Sequence, residues 1–159
     1  MLKIIEGCTC AGKSTLMHKL CEDGAYLEAP EHTPPRLTAG EDLLQRQWEI
    51  FSDFLGRCLE LQNDTKHTYV ADFSPLGCIA FNRALAVYTG NKWLEVQARE
   101  MARICKAYHW DVIQYLEQPV AVIESRLKER GRDTDDVWSH DFLLLLIDEY
   151  NKIFVRGEI

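Results

Sequence analysis

The chain has 159 residues, 47% of them apolar and 27% charged, with a net charge of −7. That length fits one domain, residues 1–159, with enough material to bury a core. The acidic balance disfavours wrapping of nucleic acid, where affinity rests on basic residues that neutralise phosphates. No apolar run approaches the roughly 18 residues needed to cross a bilayer, and the apolar start MLKII is too short for a secretory signal, so a cytoplasmic protein is expected.

Taken in chain order, LKIIEG is a short apolar run and reads as a buried strand ending at Gly7. A glycine-containing turn follows, then a helix from Ser14 to Glu22 that stops at Asp23-Gly24. AYLEAP, residues 25–30, reads as a second strand. The next ten residues, EHTPPRLTAG, hold two prolines and a glycine and read as a loop. From Glu41 to about Asn63, apolar residues recur at steps of three and four (Leu44, Trp48, Phe51, Leu55, Cys58, Leu59), which predicts a long helix.

HTYVAD, residues 67–72, is a third strand. Ser74-Pro75 then opens a helix, with Pro in the first turn where its missing N–H costs nothing. That helix runs to about Tyr88 and stops at Gly90, and another covers about 93–107. DVIQYLE, residues 111–117, is a fourth strand. Pro119 opens a helix ending at Arg130-Gly131, the charged RGRDTDD is a loop, and Ser139 or Asp141 caps a last helix to about Phe154. Strands that alternate with helices predict an α/β three-layer sandwich: a parallel sheet of about four strands with helices on both faces.

The turn after the first strand, GCTCAGKST, poses a choice between cysteine chemistry and phosphate chemistry. A zinc site needs about four Cys or His ligands, usually as two close pairs. Of six cysteines only Cys8 and Cys10 are close, and they have no second pair. Gly7, Gly12, Lys13 and Ser14, by contrast, match every fixed position of the P-loop pattern. Glycines let the backbone turn so that several N–H groups face one anion, and the helix N-terminus behind them adds positive potential. Lys13 then reaches the β- and γ-phosphates of ATP, and the Ser14 hydroxyl ligates Mg²⁺. Cys8, Thr9, Cys10 and Ala11 fill the free positions with small side chains, and Thr15 closes the cradle.

A P-loop serves several reactions. A GTPase should place a glycine three residues after the aspartate that ends a strand, but here Asp72 is followed by Phe73, Ser74 and Pro75. Asn91-Lys92-Trp93-Leu94 carries Leu where the guanine-reading Asp would stand. The sequence excludes that class.

In its P-loop, Asp72-Phe73-Ser74-Pro75, DVIQYLEQP, ESRLKERGRDTDD and a closing helix with Tyr150, the chain resembles the thymidylate kinase and deoxynucleoside kinase group of P-loop kinases, in order and over nearly its whole length. The resemblance implies transfer of the γ-phosphate of ATP to a deoxynucleoside or its monophosphate, with Mg²⁺. It implies a lid over about 126–138, whose Arg126, Arg130 and Arg132 would stabilise charge on the moving phosphoryl group. Asp72 would stand near the Mg²⁺ or its waters. Either Glu28 or Glu31 would take the proton from an attacking hydroxyl, a role not needed when the acceptor is a monophosphate.

The family commonly carries an Arg after the strand-ending acid; here it is Phe73, which leaves the acceptor contact to Arg83, Arg57 or Arg36. Trp48, Phe51, Arg57 and Phe81 fall where the family builds its base pocket, with Gln45 or Gln47 to read a base edge, although helical spacing equally suits Trp48 and Phe51 to the core. The five histidines form no constellation. The family's fifth strand, beside the adenine, has no counterpart before Ile159. Other readings of the same residues are phosphorylation of a hydroxymethylated pyrimidine in DNA, phosphorylation of another small hydroxyl compound, or a non-catalytic nucleotide-binding module. A homodimer is compatible with the sequence.

Overall fold

The computed structural model describes residues 1–30, 42–131 and 138–159. Strand β1 (Leu2–Gly7) leads into helix α1 (Lys13–Cys21). Then come β2 (Leu27–Glu28), α2 (Leu43–Asn63), β3 (Tyr69–Ala71), α3 (Pro75–Thr89) and α4 (Lys92–Cys105). β4 (Val112–Leu116), α5 (Val120–Glu129) and α6 (His140–Phe154) complete the chain. The four strands form one parallel sheet in the order β2-β3-β1-β4. The alternation read from the sequence is therefore the one observed. The second strand is the main difference, because only Leu27 and Glu28 of the predicted stretch pair with β3.

The helix boundaries follow local chemistry. Asp42, Ser74, Asn91 and Ser139 each accept a hydrogen bond from a backbone N–H in the first turn of the helix they precede, satisfying donors that a helix start leaves open. Of the two residues proposed to cap the last helix, Ser139 is the one that does so. Gly90 ends α3 in the left-handed conformation that a side chain would oppose.

Successive residues of the central strand face opposite layers. Ile5 packs with Val70 and with Met17, Leu16 and Leu20 of α1 on one face. Ile4 packs with Ala71 and with Cys58 of α2 on the other. In the main core α2 supplies Phe51, α3 supplies Leu76, Ile79 and Leu85, α4 supplies Leu94 and Met101, and α6 supplies Phe142, Leu143 and Leu146. This double coverage explains why β1 reads as a largely apolar run. It also fixes where the site must form. The register of β1 with β3 ends at Ile4 opposite Ala71, so the carboxyl ends of these two strands diverge and the loop after β1 opens between them. Among the described residues, no helix is long and apolar enough to cross a membrane.

Candidate active site

The loop after β1 is shaped by its glycines. Gly7 sits against β4 so closely that a Cβ there would stand 2.7 Å from the Leu116 carbonyl oxygen and 3.2 Å from the Ala11 Cβ. Gly12 caps α1 with φ 103°, in the left-handed region where side chains are strained. Cys10 also has positive φ, 57°, without being glycine, and such backbone outliers concentrate at functional turns. The loop closes on itself through the Ala11 N–H donating to the Cys8 carbonyl. The N–H groups at the start of α1 have no partners within the helix, so the cradle presents open donors of the kind that suit an anion.

The charged residues converge on this loop. Lys13 Nζ donates to the Gly7 and Cys8 carbonyls at 2.7 and 3.0 Å. Ser14, in the first turn of α1, donates to Asp72 Oδ2 at 2.5 Å. Arg126 crosses from α5 and donates to the Cys10 carbonyl at 2.8 Å. Arg126 passes close to Gly12: a Cβ there would lie in ordinary contact with Arg126 Nη1, at 3.7 Å. The structure thus brings Gly7, Gly12, Lys13, Ser14, Asp72 and Arg126 into one cluster. Thr9 and Thr15 stand on the same loop and first helical turn. Two oxygens side by side at the mouth of an anion cradle form a donor set that suits Mg²⁺, which takes one or two protein oxygens and completes its shell with phosphate oxygens and water.

The cysteines serve as packing. Cys8 is buried in the main core, and burial pushes its thiol up to about 11. The thiols of Cys58 and Cys105 are pushed up to about 12 for the same reason. All six cysteines are free.

The acceptor side is less gathered. Glu28 ends β2, and its Oε1 meets Nδ1 of His18 at 2.5 Å. Ser14 and His18 lie one helical turn apart on α1, so this helix presents one partner to Asp72 and the next to Glu28. Phe73 turns into an apolar contact with Phe54 of α2, ring centroids 5.2 Å apart. Trp48 is 38% exposed beside the fully buried Phe51. Phe81 packs edge-on to Phe142 near Trp138. Gln47 is buried, whereas Gln45 bonds Glu49 along the exposed side of α2.

Arg57 pairs with Asp53 at 3.4 Å on its own helix. Arg83 donates to the Glu158 carbonyl at 2.8 Å and so ties down the C-terminal end of the chain. Neither touches the P-loop cluster. Arg130 is exposed at the C-terminal cap of α5. Glu31, Arg36 and Arg132, also expected at the site, lie outside the described residues.

Two features escaped the sequence reading. His18 looked like one of five unrelated histidines, and only the fold sets it against Glu28. Glu6 looked like the polar end of an apolar strand. It is in fact 1% exposed beneath the P-loop and accepts a hydrogen bond from the Ser74 hydroxyl. Burial raises its carboxyl to about 7, opposed by the Ser74 bond and the nearby Lys13. A charged residue inside a run predicted to be buried on both faces was the available signal, since such a group is rarely retained without a partner.

These layers, this parallel order and this cradle at the end of the central strand define a P-loop fold of the kinase type. Among solved structures, the chain is similar to deoxyadenosine kinase from M. mycoides with the products dCMP and a flexible dCDP bound (TM-score 0.80, 16% identity, 99% of this chain and 85% of that one). The dATP-bound form of that protein gives a TM-score of 0.74 at 16% identity over 99% and 86% of the two chains. Its dCTP-bound form gives 0.71 at 14% identity over 99% and 84%. The resemblance in fold to the deoxynucleoside kinase group thus extends over the whole chain. No protein-family model and no curated protein matches the sequence.

Proposed function

We propose that the protein is an ATP-dependent kinase acting on a small deoxynucleoside or deoxynucleoside monophosphate. The observation that carries this reading is the convergence of Lys13, the Ser14–Asp72 pair and Arg126 on one glycine cradle. Each member has a part in phosphoryl transfer. The loop N–H groups and Lys13 bind the phosphates of ATP. Ser14 and Asp72 would hold Mg²⁺, which would supply neutralisation of phosphate charge. Arg126 stabilises charge that develops on the transferring group, and Arg130 and Arg132 would follow it from the lid. With a nucleoside acceptor, the 5′-hydroxyl oxygen forms a bond to the γ-phosphorus while the bond to the bridging oxygen breaks. ADP departs and the hydroxyl proton passes to Glu28.

Glu28 is supported as the base by its place at the carboxyl end of β2, in the strand next to the one that leads to Asp72. The acceptor would lie between that strand end and α2, with Trp48 at its rim and Gln47 and Arg46 as buried polar groups on the same helix. Phe73 offers no charge to an acceptor phosphate, which favours an uncharged nucleoside over a monophosphate and leaves room for a hydroxymethylated base in DNA as a second acceptor class.

The test is transfer of labelled γ-phosphate from ATP to a panel of deoxynucleosides, their monophosphates, and DNA with and without hydroxymethylated pyrimidines. Labelling of a nucleoside is the expected result. Labelling of DNA alone would move the acceptor to the polymer. Labelling of nothing in the panel would overturn the kinase reading.

A further inference from the structure

Glu6 takes no part in the chemistry above, yet it is a buried carboxylate, a group costly to hold away from water. Apolar residues of similar size often serve stability as well or better at such positions. Its surroundings show what it joins. The β1–β3 ladder stops at Ile4 and Ala71. Beyond that point β1 continues through Glu6 into the P-loop, and β3 continues through Asp72 to Ser74 and the start of α3. Among the described residues, two side-chain hydrogen bonds cross this divergence: Ser14 to Asp72 at the solvent side and Ser74 to Glu6 in the interior. Ser74 is itself fully engaged, because its hydroxyl also accepts the Leu76 N–H as the cap of α3. Gly77, one turn into that helix, leaves the space; a Cβ there would stand 3.4 Å from Glu6 Oε2 and 2.9 Å from the Tyr150 hydroxyl.

We infer that Glu6 is a positioning residue, which through Ser74 holds Asp72 at its working distance from the P-loop. The inference rests on the proposed kinase reading. In that reading Ser14 turns its oxygen to the cation and gives up its bond to Asp72. Glu6–Ser74 is then the remaining side-chain tie between the two strand ends. Without it, Asp72 is free to move away from the cradle when it is most needed.

The test compares Glu6→Leu, which deletes the acceptor, with Glu6→Gln, which keeps its shape and an acceptor oxygen. The first readout is calorimetric binding of ADP with and without Mg²⁺, which needs no acceptor. In the wild type Mg²⁺ should tighten ADP binding. Glu6→Leu should reduce that gain by about 10- to 100-fold, as losing an outer partner of a metal ligand commonly does, while metal-free ADP binding stays as it was. Glu6→Gln should recover most of the gain. The second readout is phosphoryl transfer, where kcat should fall in Glu6→Leu with the acceptor KM little changed.

An unchanged Mg²⁺ gain in folded Glu6→Leu overturns the inference, as does a Glu6→Gln variant no better than Glu6→Leu. If Glu6→Leu does not fold, Ser74→Ala removes the same tie from the other side, and an unchanged Mg²⁺ gain there also overturns it. The two readings fail separately. Wild-type protein that labels no acceptor but shows the Glu6-dependent Mg²⁺ gain loses the kinase reading alone, and one that labels an acceptor regardless of residue 6 loses this inference alone.

Discussion

The proposed donor side and the proposed acceptor side of this site are built in opposite ways. The donor side is made from contiguous backbone: eight residues from Gly7 to Ser14 form the cradle, and Asp72 and Arg126 reach it by direct hydrogen bonds. The proposed acceptor side is assembled from the end of β2, one face of α1 and one face of α2, and its contacts are the exposed Glu28–His18 pair and the tilted Phe73–Phe54 ring contact. A phosphate cradle is a geometric requirement on a single loop, because every nucleoside triphosphate offers the same phosphates. An acceptor pocket is a set of separate side-chain decisions, because acceptors differ. The first is therefore fixed by a short motif, and the second has to be read from tertiary placement.

That contrast can be broken by substitution. The largest effect is expected on the donor side. Lys13→Ala should lower transfer to every acceptor on the order of 10³-fold, with the thermal midpoint unchanged, because its amine bonds only loop carbonyls. Survival of transfer in a steady-state assay would remove the cradle from the reaction. On the acceptor side, Glu28→Gln should cost about 10²-fold or more with nucleosides, the usual contribution of a general base, and little with monophosphates, whose nucleophile is already ionised. Equal losses with both acceptor classes would deny Glu28 the role of base.

Arg126→Ala should reduce kcat about 10²-fold, and Arg126→Lys should not restore it, because an ammonium cannot reproduce the planar fork of donors. Full rescue by Lys would reduce Arg126 to a simple point charge. His18→Ala separates the two sides more finely. It should lower turnover only a few-fold, in keeping with the modest worth of an exposed pair, and should leave ATP binding untouched. A change in the ATP dissociation constant would instead couple His18 to the donor side.

A stability measurement sharpens the comparison at the junction of the two sides. The folded protein holds the Glu6 carboxyl near 7, against 4.5 for an unperturbed one. Between those values the folded state binds more protons than the unfolded state, so this group's contribution falls as pH rises through the window. The change is on the order of 3 kcal/mol between pH 4 and pH 8. Lys13, Asp72, Tyr115, Tyr150, Cys58 and Cys78 share its field. Denaturant unfolding of Glu6→Gln beside the wild type should therefore show the variant gaining relative stability from pH 5 to pH 8. A difference that does not vary with pH would mean that Glu6 titrates in its ordinary range.

Much of this was legible in the chain. The alternation of strands and helices, the helix starts at Ser74 and Ser139, and the cradle at Gly7 to Ser14 all depend on neighbours in sequence: period, caps and turn glycines. The second strand was overextended, because AYLEAP satisfies an apolar pattern while only Leu27 and Glu28 stand in ladder register with β3, followed by one bond from the Ala29 N–H to the Val70 carbonyl. Arg57 and Arg83 were plausible by charge, but helix phase decides where a guanidinium points, and theirs point to Asp53 and to the Glu158 carbonyl. His18 and Glu6 were passed over because a lone histidine and a strand-end glutamate carry no pattern.

The sequence by itself determined the glycine cradle at the end of the first strand, the place proposed to hold a phosphate chain, since backbone bending and the helix N-terminus are local properties of nine residues. Only the tertiary structure decided which side chains answer that site. Asp72 lies 58 residues from Ser14, and Arg126 lies 116 residues from Cys10. Contacts at such separations depend on strand order and helix phase, which a linear pattern does not encode.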